Sequence, residues 1–138
     1  MSELRIIVTG GQTRDGDRDY CTLADIIAAR ERVLTEEGGG RSGVVIVQQG
    51  RPDGVDAMAR RLARDKGYGI ETCELDYDND FLDEATPSNQ EMADRGADLC
   101  VAMPPDLGDD DGEAVWDMIR RATFAGIETR IYPEAGHE

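Results

Sequence analysis

A single lysine, Lys66, and a single histidine, His137, stand among the 138 residues. With so little of either, no P-loop lysine motif, HExxH helix or Cys/His zinc pattern occurs, and no GxSxG elbow is present. Positive charge is scarce as a whole: 15 Lys and Arg face 30 Asp and Glu, for a net charge of −15. Such a surface repels nucleic acid unless bases concentrate locally, and no basic stripe is visible, so no direct nucleic-acid binding is expected. The excess carboxylate has two readings: ordinary solubility, or adaptation to high salt, where a dense carboxylate surface stays hydrated. Abundant Asp and Arg with little Lys fits a halophile or a GC-rich genome equally well.

Long apolar runs are also missing, so nothing in the sequence spans a membrane. The opening MSELRIIVTGG carries an acid and enters a strand-like run at once, unlike the basic start and long apolar core of a signal peptide. Cys21, Cys73 and Cys100 form no metal-ligand spacing, and their odd number argues against a disulfide framework. Cys73 and Cys100 fall in strand-like runs, where a thiol acts as a small apolar side chain. These features point to a reducing, cytoplasmic setting, or a host cytoplasm were the chain virus-encoded.

What is present is a regular alternation of five apolar runs and four helical patterns. Leu4 to Thr9 reads as the first strand. Thr22, with Asp25 as capping-box partner, reads as the start of a helix buried through Leu23, Ile26, Ile27 and Leu34 and ended by Gly38-Gly39-Gly40. Val44 to Val47 is a second strand. After Gly54 a helix places Val55, Met58, Ala59 and Leu62 on one side. Ile70 to Leu75 is a third strand, and Ser88 with Glu91 reads as the cap of a short helix carrying Met92 inward. Leu99 to Met103 is the fourth strand. The last helix buries Val115, Met118, Ile119 and Ala122 and stops at Gly126, before a fifth strand at Ile127 to Tyr132. The first, second and fourth runs are nearly continuous apolar, as for strands covered on both faces. The third and fifth alternate, as edges do. Right-handed crossovers then favour the order 3-2-1-4-5. The expectation is an α/β fold: one Rossmann-like domain over residues 1–133, a five-stranded parallel sheet with helices on both faces, and a short tail, 134–138.

In that order the winding reverses between the first and fourth strands, and open α/β sheets bind ligands at the carboxyl ends there. Four loops converge on this crevice. Gly10 and Gly11 let backbone N–H groups approach a phosphate or ribose, or make a plain turn; a bulky residue at Gly11 is expected to block a ligand and leave the core intact. The stretch Gln48 to Asp56 enters a helix N-terminus, which favours anions, with Asp56 either a ligand group or a partner of the helix dipole. Thr86 to Asn89 is another helix start, with Ser88 a simple cap and Asn89 able to reach a ligand. Pro104 to Glu113 contains Asp109-Asp110-Asp111, a hard-cation site or, more simply, a solvated loop. No metal and no cofactor are expected.

Taken in order, VTGG, RDYCTLADI, GRPDGVDAMA, SNQEMADRGADLCVAMP and AGIETRIY resemble the YspA/YpsA-related branch of the SLOG superfamily. That superfamily also holds the Lonely-guy phosphoribohydrolases and the DNA-processing protein A fold. The resemblance covers almost the whole chain, most specifically from Asn89 to Pro104. It implies a Rossmann-like domain that binds nucleotides or molecules derived from them. Gly10 and Gly11 match the opening glycines, and Arg18, Asp19 and Tyr20 match an RDY element, with QTRDGD inserted ahead of it. Gly50, Gly54 and Asp56 match the second glycine loop, where Gln49 replaces a usual glycine. Asn89 matches the asparagine of a basic-Asn pair, with Ser88 where arginine is typical. Gly112 matches the glycine of a late Gly-Thr element, with Glu113 in place of threonine. The Lonely-guy enzymes use an Arg-Lys element and a PGGxGT loop leading to a catalytic glutamate, where this chain reads Ser88-Asn89 and PPDLGDDDGE.

The leading expectation is therefore a module that binds a nucleotide-derived small molecule, as a sensor or sequestering protein, through Gly10, Gly11, Arg18, Gly50, Gly54, Asp56, Asn89, Pro104 and Gly112. A second is an N-ribosidic hydrolase in which Asp56 or Glu113 polarises water. A third is an interaction protein whose ligand site has decayed. Pairing through exposed helices makes a homodimer a reasonable partner state.

Overall fold

Strict β–α alternation runs through the computed structural model, which describes residues 4–11, 14, 16–36, 43–73, 85–105 and 112–133. The elements are β1 Leu4–Gly10, α1 Asp17–Glu36, β2 Val44–Gln48, α2 Gly54–Lys66, β3 Gly69–Thr72, α3 Ala85–Arg95, β4 Leu99–Met103, α4 Gly112–Phe124 and β5 Thr129–Ile131. The strands form one five-stranded sheet in the order β3-β2-β1-β4-β5, parallel at every junction. This is the Rossmann-like α/β architecture and strand order the patterning predicts.

Central strands must be apolar on both sides because helices cover both. On β1, Ile6 and Val8 pack with Leu23 and Ile27 of α1 and Val55, Met58 and Leu62 of α2. Ile7, pointing the other way, packs with Met92 of α3 and Met118 and Ala122 of α4. Ile6 lies opposite Ile46 on one neighbour and Leu99 on the other, all fully buried. Each such side chain contributes roughly 1.5–3 kcal/mol over leaving it in water. The edges differ. Ile70 on β3 and Ile131 on β5 stay 39% and 40% exposed, each strand being flanked on one side only among the described residues. Two ion pairs tie the edges inward: Arg5 of β1 grips Glu71 of β3 through both Nη atoms at 2.8 Å, and Arg30 of α1 grips Glu128 beside β5.

Two helix starts differ from expectation. α1 begins at Asp17, and Thr22 is no cap: its hydroxyl donates to the Arg18 carbonyl at 2.9 Å, one turn back inside the helix. Asp17 and Asp19 in the true first turn suit the positive end of the dipole. α3 begins at Ala85, so Thr86-Pro87-Ser88 form its first turn and Ser88 is not the capping residue. Proline is tolerated there because first-turn N–H groups have no partner within the helix. β3 and β5 are also shorter than read. Gly38 to Gly40, the end of the expected third strand at Leu75, Asp109 to Asp111 and the tail with His137 lie outside the described residues.

Candidate functional site

The carboxyl ends of β1 and β4 meet through two glycines that leave no room for a side chain. A Cβ on Gly10 would stand 2.4 Å from Val55 Cγ2 and 2.7 Å from the Met103 carbonyl oxygen; one on Gly11 would stand 2.6 Å from Pro105 Cβ. The Gly11 N–H donates to Met103 O at 3.0 Å, and the Gly11 carbonyl accepts from the N–H groups of Arg14 and Val55 at 3.2 Å each. The space the glycines open is thus occupied by α2 and the loop after β4. A bulky residue at Gly11 collides with Pro105, so it would disturb packing rather than leave the core intact. That expectation is corrected.

Arg14, which the sequence reading passed over as part of an insertion, is 3% exposed. Its guanidinium holds both oxygens of Asp19 at 2.8 Å and donates from Nη1 to the carbonyls of Pro104, at 2.8 Å, and Tyr132, at 3.0 Å. One cation thereby joins the loop after β1 to α1, to the loop after β4 and to the end of β5. Paired, and hydrogen-bonded through all three of its nitrogens, it meets the conditions under which a buried charge is tolerated. Arg18, the second residue of α1, is exposed.

At the end of β2 the strand period continues in polar residues. Val47 faces α3 and α4, Gln48 faces α2, and Gln49 turns back toward α3. Gln48 is fully buried; its Nε2 donates to Asp56 O at 3.0 Å and its Oε1 accepts from Arg60 at 2.8 Å. Gln49 donates to Asn89 Oδ1 and accepts from Arg51 Nε at 3.2 Å. Asn89, 0% exposed, spends both amide hydrogens on α4: one on Ala114 O and one on Asp117 Oδ2, each at 3.0 Å. Asn89 therefore bridges the β2 loop and α4, not a loop and an open cleft. Asp117 continues the chain to Arg121 Nε at 2.7 Å. Burial pushes the Asp117 carboxyl up, but hydrogen bonds from Arg121 and Asn89, with the charges of Arg121 and Arg120, hold it below the usual carboxylate range.

Asp56 sits in the first turn of α2, 5% exposed, and accepts the Arg51 N–H at 3.0 Å, closing the loop between β2 and α2. Burial raises its pKa to about 6 against the pull of the Arg51 and Gly50 N–H groups and of the Arg51 and Arg60 charges. In that loop Gly50 takes φ +84°, with Thr72 Cγ2 2.5 Å from where a Cβ would stand. Gly54 is the first residue of α2 and Gly112 the first of α4. Pro104 is buried and offers its carbonyl to Arg14, whereas Glu113 is exposed.

One chain of hydrogen bonds thus runs Asp56–Arg51–Gln49–Asn89–Asp117–Arg121 across the carboxyl edge, from the helices on one face to those on the other. The six buried polar side chains of the described residues, Thr9, Arg14, Gln48, Gln49, Asp56 and Asn89, all lie at this edge. No buried side-chain nitrogen or oxygen among the described residues lacks a partner. Arg51 is half-buried and contributes its Nε to Gln49. A cavity between α3 and α4 is lined by Gln90, Asp94, Asp117, Arg121 and Phe124, of which Asp117 and Arg121 form the end of this hydrogen-bonded chain. Among the described residues no group of three or more His, Cys, Asp or Glu could hold a metal ion, and no helix is long and apolar enough to cross a membrane.

No protein-family model matches the chain, and no curated protein matches it in sequence. Among solved structures, it is similar to the C-terminal domain of a hydrogenase from Pyrococcus furiosus in two crystal structures. One has a TM-score of 0.42 at 14% identity, covering 96% of this chain and 94% of that one. The other has a TM-score of 0.45 at 14% identity, covering 95% and 92%.

Proposed function

We propose that the chain binds a nucleotide-derived small molecule at the carboxyl edge of its sheet, as a sensor or sequestering module of the SLOG type. The observation that carries this reading is the gathering of all six buried polar side chains of the described residues at that edge. Buried polar groups are high-stakes, since each costs free energy unless fully satisfied. Here they hold in place the loops that follow β1, β2 and β4, around the strand-order reversal where open α/β sheets receive ligands. Arg51 supplies a cation for an anionic group, and the first turns of α2 and α4 face the same edge. Because Gly11, Asn89 and Asp56 already have protein partners, they shape the site and the ligand meets Arg51 and the loop backbone.

The raised pKa of Asp56 favours a second reading, an N-ribosidic hydrolase with Asp56 as base. Mass spectrometry of small molecules released from the purified, denatured protein tests the first reading, which expects an adenine- or ADP-ribose-type compound. A base-release assay on nucleosides and nucleotides tests the second. Release that disappears in Asp56→Asn would replace the binding reading with the hydrolase. Silence in both experiments would leave only the interaction role.

A further inference from the structure

We infer that β5 is a self-complementary edge through which two copies of this chain pair, strand against antiparallel strand. Among the described residues β5 is bonded on one side only, to β4, and an edge strand of this kind is a template for another strand. Ladder parity shows which groups lie on that edge. Cys100 N–H donates to Glu128 O and Tyr132 N–H donates to Ala102 O, so residues 128, 130 and 132 turn their backbone groups to β4. Thr129 and Ile131 turn theirs outward.

This parity restricts the pairing. Outward residues must face outward residues, so the two-fold axis passes through a residue and not between two. An axis at Glu128 sets Glu128 against its own copy, and an axis at Arg130 sets Arg130 against its own copy; both oppose like charges. An axis at Thr129 reads Ile127-Glu128-Thr129-Arg130-Ile131 against itself. Each Glu128, bonded in its own chain to Arg30 and Arg130, then also crosses the partner's Arg130; Ile127 adds no bond to the ladder, its N–H donating to Ala122 O and its carbonyl accepting from the Thr129 hydroxyl. Thr129 makes the central hydrogen-bonded pair with its own copy. The Glu–Arg crossings fall at the non-hydrogen-bonded positions, where Cα atoms approach to about 4.5 Å and side chains interact most closely. Of the registers this parity allows, only the axis at Thr129 opposes Glu128 to Arg130.

The flank of the strand agrees. Val115, Met118, Ile119 and Ala122 of α4 face the sheet, while Ala114, Asp117 and Arg121 are bonded to α3. Helical spacing leaves Trp116 on the other flank, the β5 side, 43% exposed. Ile131 lies on the same sheet face, because it pairs with Ala102, which packs under Val115 and Ile119. A two-fold axis perpendicular to the sheet keeps faces together, so the joined sheet carries Trp116 and Ile131 of both copies on one face. This arrangement is isologous and closed, and it stands apart from the ligand reading.

Sedimentation velocity of the full chain tests it, with a dimer expected. Arg130→Glu and Glu128→Arg each set like charges across both symmetric crossings and should each weaken the dimer by on the order of tenfold or more. Mixed in equal amounts, the two variants should recover the dimer, because every crossing again opposes acid to base. Thr129→Pro removes the central outward N–H without touching the β4 ladder, and should dissociate the dimer with an unchanged circular dichroism spectrum. A monomeric wild-type chain overturns the proposal. So does a dimer indifferent to these substitutions, or one that both charge variants weaken and their mixture fails to restore.

Discussion

Replacing Asn89 by alanine removes the bolt of the polar layer, and its cost follows from the bonds on the page. The side chain is fully buried and makes three hydrogen bonds: from Gln49, to Ala114 O and to the Asp117 carboxylate. Truncation takes the acceptor from a buried Gln49 amide and the donors from a helix carbonyl and a carboxylate. A buried group left without its partner costs about 1–3 kcal/mol, and more where charge is involved, although water entering the gap recovers part. About 2–4 kcal/mol is therefore expected, a large share of the roughly 5–15 kcal/mol that holds a domain together. For a chain of this size that is a fall in melting temperature on the order of 10 °C. Urea and thermal unfolding followed by circular dichroism measure it, with Gln90→Ala, an exposed neighbour on α3, as the control expected within about 0.5 kcal/mol of wild type. An Asn89→Ala variant as stable as that control would refute the claim that this amide joins the β2 loop to α4.

Asp56 gives a pH dependence with a definite sign. Its folded pKa, about 6, lies above the ordinary 3.8, so its contribution is fully present below pH 3.8 and is lost as pH rises through about 6; relative to Asp56→Asn, wild type should lose at most about 3 kcal/mol across that window, and parallel pH profiles would contradict the assignment. Gly10→Ala should cost about 1–3 kcal/mol by overpacking, since its methyl meets Val55 and the Met103 carbonyl; an unfolding midpoint unchanged from wild type would show that α2 moves away freely. If the net charge of −15 reflects a saline habitat, melting temperature should climb steeply from dilute buffer to molar salt as repulsion is screened. A flat or falling curve would leave solubility as the reason for the acids.

The fold was legible because burial on one face or two writes different patterns. Nearly continuous apolar runs at Leu4–Val8, Val44–Val47 and Leu99–Met103 mark strands between two helical layers, and alternation around Ile70 and Ile131 marks edges. Helix starts were less legible. Thr22 with Asp25 has the spacing of a capping box, yet the same hydroxyl can bond backward to a carbonyl within a helix, as it does to Arg18. Sequence spacing does not separate the two. The site was legible in part. Glycines after β1 signal close approach, but only the fold reveals that Val55 and Pro105 do the approaching. Asn89 and Asp56 were found, whereas Arg14, Gln48 and Gln49 were read as loop. For the glutamines a signal existed: they continue the strand's two-residue period past its last valine. For Arg14 there was none, since its four acceptors lie on Asp19, Pro104 and Tyr132, far apart in the chain.

Isothermal titration calorimetry of the wild-type chain and Arg51→Ala against a panel of adenine nucleotides, nucleosides and ADP-ribose tests the binding account most directly. The substitution removes the loop's side-chain cation while keeping the backbone N–H that Asp56 accepts, so the fold should persist. The account predicts saturable binding of at least one phosphate-bearing member by wild type, weakened on the order of tenfold in Arg51→Ala. No heat from any member of the panel, or a ligand that binds both proteins equally well, would contradict it.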